Sequence, residues 1–130
     1  MLSYLLLIDE DDNEHDFFQR SINYYNPGCR LLSARSGTAG AHICRKVNPE
    51  ITFINFRLPD IDGLKCLKRI KNMKSIKNKP VILYCSPVTD HLVEQAKALG
   101  AAGCVDRASL SLALKNYLQQ PLRNKGPMVE

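Results

Sequence analysis

Five short, largely apolar runs recur along this chain, and each is followed by a stretch with helical spacing. The runs are Tyr4 to Ile8 (YLLLI), Cys29 to Ala34 (CRLLSA), Ile51 to Asn55 (ITFIN), Val81 to Cys85 (VILYC) and the short Cys104 to Val105. A strand that reads as continuously apolar is buried on both faces, and such strands belong to parallel sheets covered by helices on each side. Between the runs, apolar residues return every three or four positions, the period of a helix with one buried face. Phe17, Phe18, Ile22 and Tyr25 mark the first helix, with Asn13 as its N-cap and Asn26-Pro27-Gly28 as its stop. Ser36-Gly37-Thr38 opens the second, which carries Ala41, Ile43, Cys44 and Val47 and closes at Asn48-Pro49. Leu64, Leu67, Ile70 and Met73 mark the third, and Lys74 to Lys79 is a polar connector. Leu92, Val93, Ala96 and Leu99 mark the fourth, ended by Gly100. Ser109 caps a fifth with Leu112, Ala113, Tyr117 and Leu118, ended by Pro121.

Five strand–helix units without a repeat or a linker predict one domain over residues 1–120 and a flexible tail over 121–130. Right-handed crossovers turn such a chain into a doubly wound α/β sheet with helices on both faces. The expected fold is flavodoxin-like, five parallel strands in the order 2-1-3-4-5, with its switch point between strands 1 and 3. The 130 residues suffice for one real core, and the hydrophobic fraction of 45% is ordinary for a globular chain. No apolar run approaches the roughly 18–20 residues of a membrane helix. The first residues, MLSYLLLIDEDD, lack the basic start and small-residue cleavage site of a signal peptide, so a cytoplasmic location is expected. Cys29, Cys44, Cys66, Cys85 and Cys104 are odd in number and form no CxxC pair, so they read as small buried hydrophobes rather than a disulfide or zinc framework. His15, His42 and His91 lie too far apart in sequence to suggest a metal cluster.

In open α/β sheets the chemistry sits at the carboxyl ends of the strands around the switch point. The residues expected there are Asp9 and Glu10 after the first strand and Asn55 at the end of the third. Asn55 leads into a loop punctuated by Pro59, Asp60, Asp62 and Gly63.

Over roughly residues 2–120 the chain resembles the receiver domain of bacterial response regulators. LLLIDEDD looks like the family's acidic pocket, and NFRLPDIDG resembles its phosphoacceptor loop, Asp-x-x-x-Pro-x-x-Asp-Gly. KPVILYCS resembles the fourth strand with its terminal Thr or Ser, and ALGAAGCVDRAS resembles the fifth-strand segment. The resemblance implies a carboxylate nucleophile, a Mg²⁺ ion, a hydroxyl and a lysine. Asn55 stands at the acceptor position, and an amide oxygen is a poor nucleophile. The implied metal ligands are Glu10, the Asn55 side chain and the carbonyl of Arg57, with Asp9 acting through water. Mg²⁺ favours hard anionic oxygen, so weak binding or none is expected. Cys85 fills the hydroxyl position with a weak donor. Arg107 fills the lysine position and is expected to pair with Asp9 or Glu10. Ala108 replaces the usual proline, so that peptide should be trans. Cys104 stands where the family has its switch aromatic.

The expected function is that of a stand-alone receiver-like protein of a two-component system. It is not an enzyme, is not phosphorylated and acts by protein–protein contact. The resemblance places partner contacts, including a homodimer, on the fourth helix, fifth strand and fifth helix. Two other classes fit less well. Asp9-Glu10-Asp11 matches the Asp-x-Asp of haloacid-dehalogenase-like phosphatases, but that motif wants Thr or Val where Asn13 stands. Lys65, Lys68, Arg69, Lys71, Lys74, Lys77 and Lys79 could contact an acidic partner or a nucleic acid. No aromatic residues are interleaved for base stacking, which favours a solvated face or an acidic partner.

Overall fold

The computed structural model describes residues 3–120; Pro121 and the expected tail lie outside them. β1 (Ser3–Ile8), β2 (Cys29–Ala34), β3 (Ile51–Asn55), β4 (Val81–Cys85) and β5 (Gly103–Asp106) form one sheet in the order β2-β1-β3-β4-β5. All four pairings are parallel. α1 (Asp12–Tyr25), α2 (Gly37–Val47), α3 (Gly63–Lys71), α4 (Asp90–Ala98) and α5 (Leu110–Gln119) cover its faces. The expected fold is the observed one.

Alternate residues of the buried strands feed two separate cores, as the two-residue strand period requires. Leu5, Leu7, Phe53, Ile82 and Tyr84 pack with Phe18 and Ile22 of α1 and with Leu110, Leu114 and Leu118 of α5. Leu6, Ile8, Ile54, Leu83 and Cys85 pack with Ala41 and Cys44 of α2, Cys66, Leu67 and Ile70 of α3, and Leu92 and Ala96 of α4. Each fully buried Leu, Ile or Phe contributes about 1.5–3 kcal/mol through removal from water. The layers therefore hold α1 and α5 on one side and α2, α3 and α4 on the other. Four of the five cysteines are buried, Cys104 is half-buried, and all five are free thiols. Burial pushes the thiols of Cys29 and Cys44 up to about 11 and that of Cys66 up to about 12.

Several local expectations are corrected. α1 is capped by Asp11, whose carboxylate accepts from the Asn13 amide at 2.9 Å; Asn13 lies inside the helix. Asp9, the first Asx after β1, is turned inward to Tyr84, so the cap falls to Asp11. Ser109 makes no side-chain cap for α5; Asp106 instead accepts from the Ala108 amide at 3.0 Å and fixes a 3₁₀ turn, Arg107–Ser109. Leu112 is 61% exposed, because the stripe of α5 that meets the sheet is Leu110, Leu114 and Leu118. The connector after α3 contains a 3₁₀ turn, Lys74–Ile76, with Ile76 fully buried. The basic residues there do not all lie on a solvated face. Lys71 donates to the carbonyls of Ile76, Lys77 and Lys79, and Lys79 pairs with Glu50 at 2.9 Å.

The loop after β3 is tied to the rest of the fold by its two aspartates. Asp62 caps α3 by accepting from the Lys65 amide at 2.9 Å. Asp60 reaches across to α2, where its two oxygens accept from the amides of Gly37 and Thr38 at 2.9 Å each. Its slight burial raises the Asp60 pKa. The hydrogen bonds from Thr38, Gly37 and Ile61 outweigh that and hold the carboxyl well below the ordinary carboxylate range. A depressed pKa stabilises the fold above the unfolded-state value of about 3.9, and that stability is lost as pH falls below it. Asp60→Ala is expected to cost about 1 kcal/mol at neutral pH, the usual worth of a helix cap. Thermal unfolding of both proteins between pH 7 and 2.5 should show the gap narrowing below pH 4; a gap independent of pH would contradict this assignment.

Candidate functional site

The carboxyl ends of β1, β3, β4 and β5 bring together a cluster of polar side chains. Asp9 follows β1 and is only 1% exposed. A buried carboxylate needs hydrogen-bond donors, and Asp9 has two. Its Oδ1 accepts from the Asp11 amide at 2.9 Å, and its Oδ2 accepts from the hydroxyl of Tyr84. Tyr84 lies on β4, which is separated from β1 by β3, so its ring spans the intervening strand to reach Asp9. Burial and the neighbouring Asp9 charge push the Tyr84 hydroxyl far up, so it stays a donor at neutral pH. The Asp9 carbonyl accepts from His15 Nε2 at 2.8 Å, and His15 Nδ1 meets Ser33 Oγ at 2.9 Å. A carbonyl only accepts, so Nε2 carries a hydrogen.

Asn55, the last residue of β3, is half-buried, and its Oδ1 accepts from the Arg57 amide at 3.1 Å in a local turn. The nearby depression of about 410 Å³ runs along the loop, between Phe56, Arg57, Leu58, Asp60, Asp62 and Lys65, and is not walled by Asp9 or Glu10. Glu10 and Arg57 are exposed. Cys85 ends β4 within the apolar cluster of the α2–α3–α4 layer, and half-buried Cys104 packs against the same cluster. Ser86 is exposed.

Arg107 does not pair with Asp9 or Glu10. Its Nη2 lies 2.9 Å from Glu14 Oε1 and 3.7 Å from Asp11 Oδ2, both at the start of α1. The reason is competition and access. Both Asp9 oxygens are already taken behind Tyr84, and Glu10 faces solvent. Asp11 and Glu14, three positions apart on a helical turn, are neighbours and present a two-oxygen target. The Arg107–Ala108 peptide is trans; the cis peptide among the described residues is Ser86-Pro87.

Two residues central to this cluster escape the sequence. Tyr84 offers one signal, a lone hydroxyl in an otherwise aliphatic double-buried strand, where a buried Tyr requires a polar partner. Glu14 offers none, being one acid among Asp9, Glu10, Asp11, Asp12 and Asp16 until the fold sets it opposite Arg107. Burial, the largest influence, pushes the Glu14 carboxyl up; Arg107 opposes this, and Oε2 is buried without a partner.

A doubly wound parallel sheet of order 2-1-3-4-5, with acids and Asn55 at the carboxyl edge between strands 1 and 3, defines the class of CheY-like α/β domains. The chain belongs to the response regulator receiver domain family, whose pattern matches residues 5–119. It is thus a receiver domain of two-component signalling systems. It is 25% identical over 122 residues to regulatory protein AtoC of Escherichia coli, covering 91% of this chain and 26% of AtoC. The chain therefore spans about a quarter of that relative's length. It is 28% identical over 101 residues to sporulation initiation phosphotransferase F of Bacillus subtilis, covering 75% of this chain and 78% of that one. Among solved structures, Vibrio cholerae chemotaxis protein CheY4 superposes with a TM-score of 0.81 at 16% identity, covering 92% of this chain and 98% of that one. Among the described residues, no helix is long and apolar enough to cross a membrane.

Proposed function

We propose that this receiver domain does not take up a phosphoryl group and that it signals by contact with other proteins of its pathway. The observation that carries this reading is Asn55, a neutral amide at the end of β3 whose oxygen is engaged by the Arg57 amide. Formation of an acyl phosphate requires an attacking carboxylate. The closest loop acids, Asp60 and Asp62, are held by backbone amides at the starts of α2 and α3. Cys85, in the apolar cluster, offers only a weak donor.

The donor set also does not fit Mg²⁺. A near-octahedral site needs several hard, preferably anionic oxygens. Asp9 has both oxygens engaged, Asn55 is neutral and engaged, and Glu10 alone remains as a free carboxylate of the implied set. The Glu14 oxygen without a partner belongs to a carboxylate already bound to Arg107.

Contact surfaces remain available. Leu112 stands out from α5, and a pocket of about 220 Å³ opens between α4 and β5, with Val93, Lys97, Ala101 and Cys104 among its walls. This face would meet a signalling partner or a second copy. A domain of this kind has no catalytic role and a place inside the cell. Intact-mass measurement after incubation with acetyl phosphate and Mg²⁺ should show no gain of a phosphoryl group. A phosphoryl group on any residue of the β-strand edge would refute the proposal.

A further inference from the structure

We propose that Arg107 is a tethered cation that neutralises the acidic pocket and fastens the start of α1 to the β5–α5 edge, in the role an exchangeable divalent ion would otherwise play. This rests on the reading that the pocket does not take Mg²⁺.

Six acids crowd the end of β1 and the first turns of α1: Asp9, Glu10, Asp11, Asp12, Glu14 and Asp16. Such a cluster repels itself unless cations or donors reach it. Asp9 is met by Tyr84 and the Asp11 amide. Asp12 is met by Arg35 at 2.6 Å, in an exposed pair. Asp11 and Glu14 are met by Arg107. Of the two arginines, Arg107 is the less exposed, 39% against 55%, and its main partner Glu14 is only 14% exposed. A carboxylate so far withdrawn from water needs a counter-charge at hand. The planar guanidinium supplies one that can address two carboxylates at once.

The anchor at the other end is also built. Arg107 begins the 3₁₀ turn between β5 and α5. Asp106, just before it, accepts from the Ala108 amide at 3.0 Å and from the Val88 amide at 3.3 Å. The guanidinium is therefore carried on backbone tied to the β4–α4 loop. Its reach to Glu14 joins that loop and the start of α5 to α1. A free ion would make a similar bridge only when bound; the arginine makes it permanently.

The test is thermal unfolding with EDTA, with 10 mM MnCl₂ and with NaCl of equal ionic strength. The proteins are the natural chain, Arg107→Ala, and Arg107→Ala combined with Glu14→Gln. The natural chain should show the same Tm with Mn²⁺ as with NaCl. Arg107→Ala should melt several degrees lower in EDTA, and Mn²⁺, but not NaCl, should restore at least half of the loss. The double variant should melt above Arg107→Ala in EDTA and should not respond to Mn²⁺. If Arg107→Ala does not fold in EDTA, the double variant still must. A Tm for Arg107→Ala equal to that of the natural chain would overturn the proposal, as would a loss that Mn²⁺ leaves unrestored. So would a double variant no more stable than the single one. Stabilisation of the natural chain by Mn²⁺ would be a different failure, overturning the reading that the pocket rejects divalent ions.

Discussion

Tyr84→Phe is expected to destabilise the domain by about 2–3 kcal/mol, the range for hydrogen bonds to charged groups whose partner stays buried. The substitution keeps the ring and removes one oxygen, so packing between Phe53 and the α1–α5 layer is preserved. What changes is Asp9. Its carboxylate, 1% exposed, would be left with the Asp11 amide as its remaining side-chain partner. Water cannot replace the hydroxyl without opening the layer. At on the order of 4 °C per kcal/mol for a domain of this size, Tm should fall by roughly 8–12 °C. A Tyr84→Phe, Asp9→Asn double-mutant cycle separates this account from simple loss of a surface polar group. Direct neighbours in one network should couple by at least about 1 kcal/mol. A Tm change under about 2 °C, or additivity in the cycle, would mean that the hydroxyl is not holding the carboxylate.

Gly63→Ala is the second large effect, and its sign is the informative part. In a helix, exchanging Gly for Ala ordinarily stabilises by up to about 1 kcal/mol. Gly63 is the first residue of α3, and its amide donates to the Phe56 carbonyl at 2.7 Å. A Cβ there would lie 2.6 Å from the Phe56 Cα, 2.8 Å from Leu83 Cδ1 and 2.9 Å from the Asn55 carbonyl oxygen. Two of those atoms are backbone and cannot rotate away. Overpacking of this kind costs about 1–3 kcal/mol, which outweighs the propensity gain. The strain falls on the peptide that carries Asn55, so the Asn55–Arg57 turn should loosen as well. Urea denaturation checks the sign; a more stable Gly63→Ala protein would show that α3 does not seat on the β3 loop as described.

The strands were the legible part of this fold. The expected ranges of β2, β3 and β4 match the observed ones residue for residue: β3 and β4 are buried on both faces and so form apolar runs, and the edge strand β2, with Arg30 and Ser33 exposed, is set off by Asn26-Pro27-Gly28 before it and Ser36-Gly37 after it. β5 extends one residue beyond each end of the expected Cys104–Val105, since Gly103 and Asp106 carry no apolar signal. The caps were half legible. Asp11 and Asn13 are both good capping residues, and the choice between them depends on where β1 releases the chain. Within the site, positions along single strands could be read, but pairings between strands could not. Arg107 was visible as a cation at the carboxyl edge. That it meets Glu14 and Asp11 instead of Asp9 or Glu10 depends on Tyr84 having already claimed Asp9, an interaction that spans 75 residues of sequence. A shorter separation, 22 and 23 residues, likewise hid Asp60, which looks like a loop acid and acts as an acceptor at the start of α2.

If the carboxyl edge of this sheet is a closed scaffold and not a phosphoryl switch, as proposed, a phosphodonor leaves it unchanged. The most direct test is the backbone amide NMR spectrum of the ¹⁵N-labelled chain, recorded before and after addition of acetyl phosphate and Mg²⁺. Superimposable spectra are expected, with Asn55, Arg57, Cys104 and Arg107 unmoved. A second set of resonances spreading from Asn55 into β5 and α4 would contradict it.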